Sequence, residues 1–326
     1  MDLERRRLLA TAALLPVALA ARAAHAEDYP DKPVRLVVPF PPGGGADNLA
    51  RAIMPKVSQA LGKPIIIDNK PGAGGNVGAQ LVAESAPDGY TLLYGTNGTH
   101  SINQSLYQSL RFDPIKDFAP VSRMTEIAAM LVVNPQLPIM TVTQLIRYAK
   151  ANPGKVNFAS AGNGTTSHLS GELFKTMAGI DIVHIPYRGG GLAVTDLIGG
   201  QVQMMIDVMP NVYPLAKEGR IRGIAVSTAQ RFPGAPELPT IAESGLPGFE
   251  ASAWDGVLAP AGTPEAIVNK LNAAIRTALA DPELIETLKS RGATVVPSTP
   301  DEFARHIVAS TKKWAQVVKA SGAKID

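Results

Sequence analysis

Two glycine-rich stretches hold the groups in this 326-residue sequence whose type and spacing point to chemistry, and those groups are main-chain amides. The first reads PFPPGGGAD over 39–47, the second AGNGTTSH over 161–168. Each follows a short apolar run of strand length, Val34–Val38 and Val156–Ser160. Each precedes apolar residues at helical spacing: Leu49, Ile53, Val57 and Leu61 after the first, and Leu169, Leu173, Phe174 and Met177 after the second. Asp47 is placed to cap the first helix and Gly62 to end it. Strand, glycine loop and helix in that order leave the first helical amides without internal acceptors. The helix dipole favours an anion there, and glycines let it reach the backbone. A tight connection that merely needs glycine gives the same pattern. Its recurrence in mid-chain is what favours the anion site.

The other candidates are single side chains, most with two readings. Arg188, before the glycines 189–191, either pairs with a ligand anion or belongs to a solvated turn. His168 opens a helix as a structural first-turn donor or as a ligand contact. Asp207, in the run MMIDVM, receives either a ligand ammonium or a helix amide. Asn97 sits in a third strand-to-helix loop, GTNGTHS. Enzymatic chemistry finds little support. The histidines after residue 26 (His100, His168, His184 and His306) show no metal-ligand spacing, and no G-x-S-x-G elbow occurs. Ser101 beside His100, and Ser167 beside His168, are neighbours in sequence, which does not set a base on a nucleophile. Gly72, Gly74, Gly75 and Gly78 miss the dinucleotide fingerprint at Val77, and no phosphate loop follows. No cofactor and no metal is expected.

These loops need elements to hold them. Ile65, Ile66 and Ile67 give a second strand and 90–94 a third, so three successive strand–helix units imply a parallel sheet with helices on both faces. Residues 118–134 read as an extended crossing into a second half. There Thr141 caps a helix, and strands at Val156–Ser160, Ile182–Pro186, Met204–Val208 and 221–227 complete a second parallel sheet. Residues 251–259 return the chain, and the tail is helical, its last helix opened by the capping-box spacing of Thr299 and Glu302. The fold class is α/β, with residues 27–128 and 254–326 as lobe 1 and residues 129–253 as lobe 2. Ligands of such folds sit between lobes, where the loops converge.

Composition narrows the class. At 45% hydrophobic residues disorder is excluded. Residues 1–26 have a basic start (Arg5, Arg6, Arg7), an apolar run too short to span a bilayer, and Ala24-His25-Ala26 as a cleavage site. A periplasmic protein is expected, by the general route or the twin-arginine one. Without that segment the charge falls from +3 to 27 basic against 26 acidic side chains, a net of +1, which is no footprint for nucleic acid. There is no cysteine, hence no disulfide, thiolate nucleophile or lipid-attachment site.

The stretches VVPFPPGGGADNLAR, SAGNGTTSHLSGELF, IPYRGGG and GFEASAWDGVLAPAGTP, in this order, resemble the Bug family. These are extracytoplasmic solute receptors related to the binding subunit of tripartite tricarboxylate transporters. The resemblance covers nearly all of the chain after residue 26. It implies a two-lobed periplasmic binding protein of the Venus-flytrap, type II-like kind with two hinge crossings. It also implies that the glycine loops act as carboxylate pincers, partly through water. Carried over, the first pincer is Phe40, Pro42, Gly43, Gly44 and Asp47. The second is Ala161, Gly162, Gly164, Thr165 and His168, with Asn97 and the pair Tyr187 and Arg188 at the sides. The partners so implied are a small carboxylate and the membrane subunits of a transporter, with the receptor a monomer. A receptor handing its closed form to a sensor kinase is the alternative, since both uses need lobe closure; a hydrolase is the remote one.

Overall fold

The computed structural model describes residues 29–325, and the expected export signal lies outside them. Within that span the chain builds two sheets. The first forms from β1 (Val34–Val38), α1 (Gly45–Leu61), β2 (Ile65–Asn69), α2 (Asn76–Ala83) and β3 (Thr91–Thr96). A turn of π-helix, Gly98–Ile102, follows β3 and runs into α3 (Asn103–Leu106). β4 (Phe118–Ile127) still belongs to the first sheet and β5 (Ala129–Val133) to the second, so the outward crossing is at Ala128.

The second half continues with α4 (Val142–Ala151), β6 (Val156–Ser160), α5 (Thr166–Ala178), β7 (Ile182–Pro186), α6 (Gly190–Gly199), β8 (Met204–Val208), α7 (Met209–Lys217) and β9 (Arg222–Val226). β10 (Ala253–Pro260) then re-enters the first sheet. The tail comprises α8 (Glu265–Leu279), α9 (Pro282–Ser290), β11 (Ala293–Val295) and α10 (Pro300–Ser321).

Strand order is β11-β4-β10-β3-β1-β2 in the first sheet and β7-β6-β8-β5-β9 in the second. Neither sheet is wholly parallel, contrary to the sequence expectation. β10 pairs antiparallel with β3 and β4, and β5 antiparallel with β8 and β9. The reason is topological. Each crossing strand enters its sheet directly from the other half, with no helix turning it round to run with its neighbours. The strand–helix units themselves are parallel, β1 with β2 and β3, and β6 with β7 and β8.

α1 shows why the local sequence folds as it does. Leu49, Ile53, Val57 and Leu61 are buried on one stripe, against the Ile267–Leu271–Ile275 stripe of α8, and Gly62 closes the helix in the left-handed region at φ 79°. α10 has a different task. Its first half (Phe303, Ile307) packs under the first sheet. Its second half (Trp314, Val318) joins Ile102 and Leu106 in an apolar cluster with Leu131, Phe158 and Phe174 of the second half. One helix thus shares both cores.

Candidate functional site

The two glycine loops meet across the cleft. An inner cavity of about 80 Å³ is lined from the first half by Phe40, Gly44, Gly45, Ala46, Tyr94 and Asn97, and from the second by Ala161, Thr165, Thr166, Ser167, Asp207 and Val208. The return strand closes its floor with Trp254 and Asp255. Outside it lies a groove of about 600 Å³ lined by Phe40, Ala161, Gly162, Tyr187 and Arg188, among others. Of the fourteen residues expected at the site, Phe40, Gly44, Asn97, Ala161, Thr165 and Asp207 line the cavity, and Gly162, Tyr187 and Arg188 only the groove. Pro42 and Gly43 are exposed at the loop apex, and Asp47, Gly164 and His168 lie behind the lining.

Asp47 is not the N-cap that the sequence indicated. Gly44 holds that position, and Asp47 is the third residue of the first turn, 2% exposed. Its carboxylate accepts from Gly43 N (2.9 Å), Arg51 Nε (2.9 Å) and Asn69 Nδ2 (3.0 Å), which ties the loop to α1 and β2. Burial opposes ionisation of Asp47, but these donors outweigh it and hold the carboxyl below its ordinary range. Gly45 and Ala46, which no residue-type argument singled out, place the free first-turn amides in the cavity.

The second loop is braced similarly. Thr165 caps α5, its Oγ1 accepting from His168 N and donating to Gly162 O (2.6 Å). Ser167 Oγ accepts from Ala161 N (2.8 Å), so Thr166 and Ser167 present the amides of this helix start. His168 takes the structural reading: Nδ1 accepts from Gly164 N at 3.3 Å, and its ring stacks on His184, centroids 4.1 Å apart. Burial lowers it to about 4, and burial with neighbouring His168 and Lys175 lowers His184 to about 3, so both imidazoles are neutral at pH 7.

The fold also assembles sets that local spacing hides. His168, Glu172 and His184 offer ligand atoms within 4.8 Å of one another. Their rings lie parallel to within 15°, however, so the two in-plane lone pairs run alongside each other instead of converging on one ion. Ser160 Oγ lies 2.6 Å from His184 Nε2, a hydroxyl–imidazole pair that adjacency in sequence does not reveal. Ser160 is fully buried and outside the cavity lining, so no substrate carbonyl reaches it.

Polar groups in the cavity decide what it accepts. Thr166 Oγ1 donates to Asn97 Oδ1 across the cleft at 3.0 Å, which leaves Asn97 Nδ2, in a side chain 1% exposed, without a partner among the described residues. A buried donor of this kind marks a place for an acceptor. Two carboxyls face the same space. Asp255 accepts three hydrogen bonds, from Tyr94 Oη, Thr125 Oγ1 at 2.6 Å and Thr125 N at 3.1 Å. Asp207 receives Asn211 Nδ2 at 2.6 Å and the Val208 amide, and no basic side chain stands beside it among the described residues. Burial pushes both up to about 6, the hydrogen bonds offsetting it in part.

Two helix starts and an orphan amide facing one cleft between two α/β lobes define a solute-binding receptor of the flytrap class. The comparisons agree. Residues 49–323 match the family described as tripartite tricarboxylate transporter family receptor. The chain is 39% identical to Protein BugT of Bordetella pertussis over 98% of either chain. Among solved structures, R. palustris Rpa4515 with adipate is 40% identical, with a TM-score of 0.89 over 91% of this chain and all of that one. MatC from Rhodopseudomonas palustris with bound malate is 38% identical, with a TM-score of 0.85 over 89% of this chain and all of that one. The chain belongs to the tripartite tricarboxylate transporter receptor family and is a Bug-type periplasmic solute-binding receptor, not an enzyme. No helix among the described residues is long and apolar enough to cross a membrane.

Proposed function

We propose that this receptor captures a small carboxylate between its lobes and delivers it to the membrane subunits of a tripartite tricarboxylate-type transporter. The ligand is a dicarboxylate, tricarboxylate, acidic amino acid or aromatic acid. The moving bodies are residues 27–128 with 254–326, and residues 129–253. The observation that carries the reading is the buried Asn97 amide without an acceptor, between the first-turn amides of α1 and α5. A carboxylate oxygen suits each of those donors, and lobe closure strengthens such bonds by removing water. Gly44 and Thr165 belong to the contact layer, and Asp47, Gly164 and His168 hold it in shape. Adipate and malate in the related structures support the ligand class.

The test is a thermal-shift screen of the ligand-stripped protein against citrate, succinate, malate, glutamate, aspartate, adipate and an aromatic acid, with neutral sugars as controls. An acid at a hundredfold its dissociation constant stabilises by about 2.7 kcal/mol. A sugar that shifts the melt while every acid is silent overturns the reading. Delivery is tested by uptake of the bound acid in cells with and without the membrane subunits.

A further inference from the structure

The cavity sets donors from the starts of α1 and α5 and from Asn97 against two carboxyls, of which Asp207 carries the fewer hydrogen bonds. Asp207 is the penultimate residue of β8, whose last residue, Val208, packs against the start of α1. A Cβ built on Gly45 would lie 2.5 Å from Val208 Cγ2, and one built on Gly190 would lie 2.9 Å from Asp207 Oδ2. Asp207 thus has its carboxylate beside the start of α6 and lines the same cavity as Gly44, Gly45 and Ala46 of α1, a space of about 80 Å³ that holds a carboxylate and the carbon next to it. It is 4% exposed, faces the cavity and has no basic neighbour among the described residues. A bare methylene opposite it gives this carboxylate nothing for the water it loses on closure, and a second ligand carboxylate there would repel it.

Building on the carboxylate reading of the site, we infer that Asp207 accepts a hydrogen bond from a donor on the carbon adjacent to the captured carboxylate, so that the receptor selects 2-hydroxy or 2-amino acids over the unsubstituted acid. Division of labour follows. Asn97 Nδ2 and the helix amides of Gly45, Ala46, Thr166 and Ser167 take the carboxylate; Asp207, held by Asn211, reads the substituent. Asp255 is the weaker competitor for it, since three donors from Tyr94 and Thr125 already engage both of its oxygens, against Asn211 and the Val208 amide at Asp207.

Matched series test this, because only one substituent changes: succinate, malate and aspartate, then glutarate, 2-hydroxyglutarate and glutamate. Titration calorimetry on the ligand-stripped protein is expected to give, in at least one series, a hydroxy or amino acid bound at least about tenfold more tightly than the parent diacid. The member that wins distinguishes hydroxyl from ammonium. Asp207→Asn, which keeps the shape and the Asn211 contact, brings that ratio towards one. Parent diacids binding as tightly as their substituted partners overturn the inference and leave the carboxylate reading intact, as does binding confined to an acid with no 2-substituent. An unchanged ratio in Asp207→Asn removes Asp207 from the role. Silence from all six, together with a silent thermal-shift panel, overturns both readings.

Discussion

At the residue scale, the site divides into groups that meet the ligand and groups that hold those in place, and two substitutions separate them. Gly44 has φ −80° and only Pro41 O near an added Cβ, at 3.7 Å, so a side chain there enters the cavity without straining the loop. Gly44→Val is expected to melt within a few degrees of the parent and to lose acid binding. Retained binding would take the α1 start out of the site. The same change at Gly162 is a poorer probe, because φ there is +123° and valine would be strained whatever the ligand does. Asp207 gives a second expectation. Its raised pKa means that the folded state disfavours the charged form, so this residue costs stability above about pH 6 and nothing once the pH falls below the unfolded value of 3.8. Ligand-free Asp207→Asn should therefore be the more stable protein at pH 7, by roughly 1–3 kcal/mol, with the gap closing as the pH is lowered towards 4. Urea titrations at both pH values check the sign. Stability spent at a binding residue is a common exchange.

At the element scale, most of the architecture was legible because the punctuation is strong. Thr141 caps α4 by accepting from Gln144 N, and Thr299 and Glu302 form the capping box that their spacing indicates. Thr299→Ala should cost about 1 kcal/mol in a denaturant titration, since it strips the cap from a helix that serves both cores; a null effect would mean that α10 is held by packing alone. α7 was not legible: Pro210 and Pro214 argue against a helix, yet Pro210 stands in the first turn where its missing amide is harmless. β11, three residues long, carries too little pattern to read. The antiparallel crossings escaped for a different reason. Strand direction follows from where the chain has come from, which periodicity does not encode. Within the site, the glycine loops were visible as strings of glycine. Tyr94, Trp254 and Asp255 were not, since they reach the cavity only because β3 and β10 pair far from each other in sequence. Asp47 was noticed for the wrong job, its type fitting a cap while its position fits a brace.

At the scale of the whole molecule, α10 ties the two cores together, while the loops facing each other across the cleft meet through glycines and polar groups. Thr166 bonds Asn97, Tyr107 Oη donates to Asn163 O at 3.3 Å, and a Cβ on Gly98 would lie 3.1 Å from Gly164 O on the opposite lobe. The last spacing is tighter than an ordinary contact. Gly98→Ala should disfavour the closed form by about 1–3 kcal/mol, weakening acid binding while the urea midpoint of the ligand-free protein stays put. Small-angle scattering should show a smaller ligand-induced contraction in the variant than in the parent. An equal contraction at equal affinity would show that the lobes need not approach so closely.

The position of β10 has a consequence for how the molecule comes to exist. That strand lies in the interior of the first sheet, between β3 and β4, although it is composed of residues 253–260. Until those residues are available, β1, β2 and β3 have no partner towards β4, and the two parts of the sheet are separate pieces with open edges. The strands of the second sheet, by contrast, all lie between residues 129 and 226. Lobe 2 can therefore begin to fold while lobe 1 waits for a segment well over a hundred residues further on. Pairings of such long range are slow, because loop closure must be met before the contacts repay it. Refolding should accordingly show early protection of β6 and β8 amides in pulsed hydrogen exchange, with β1 and β3 protected only in the last phase, when the return strand docks between the halves of its sheet.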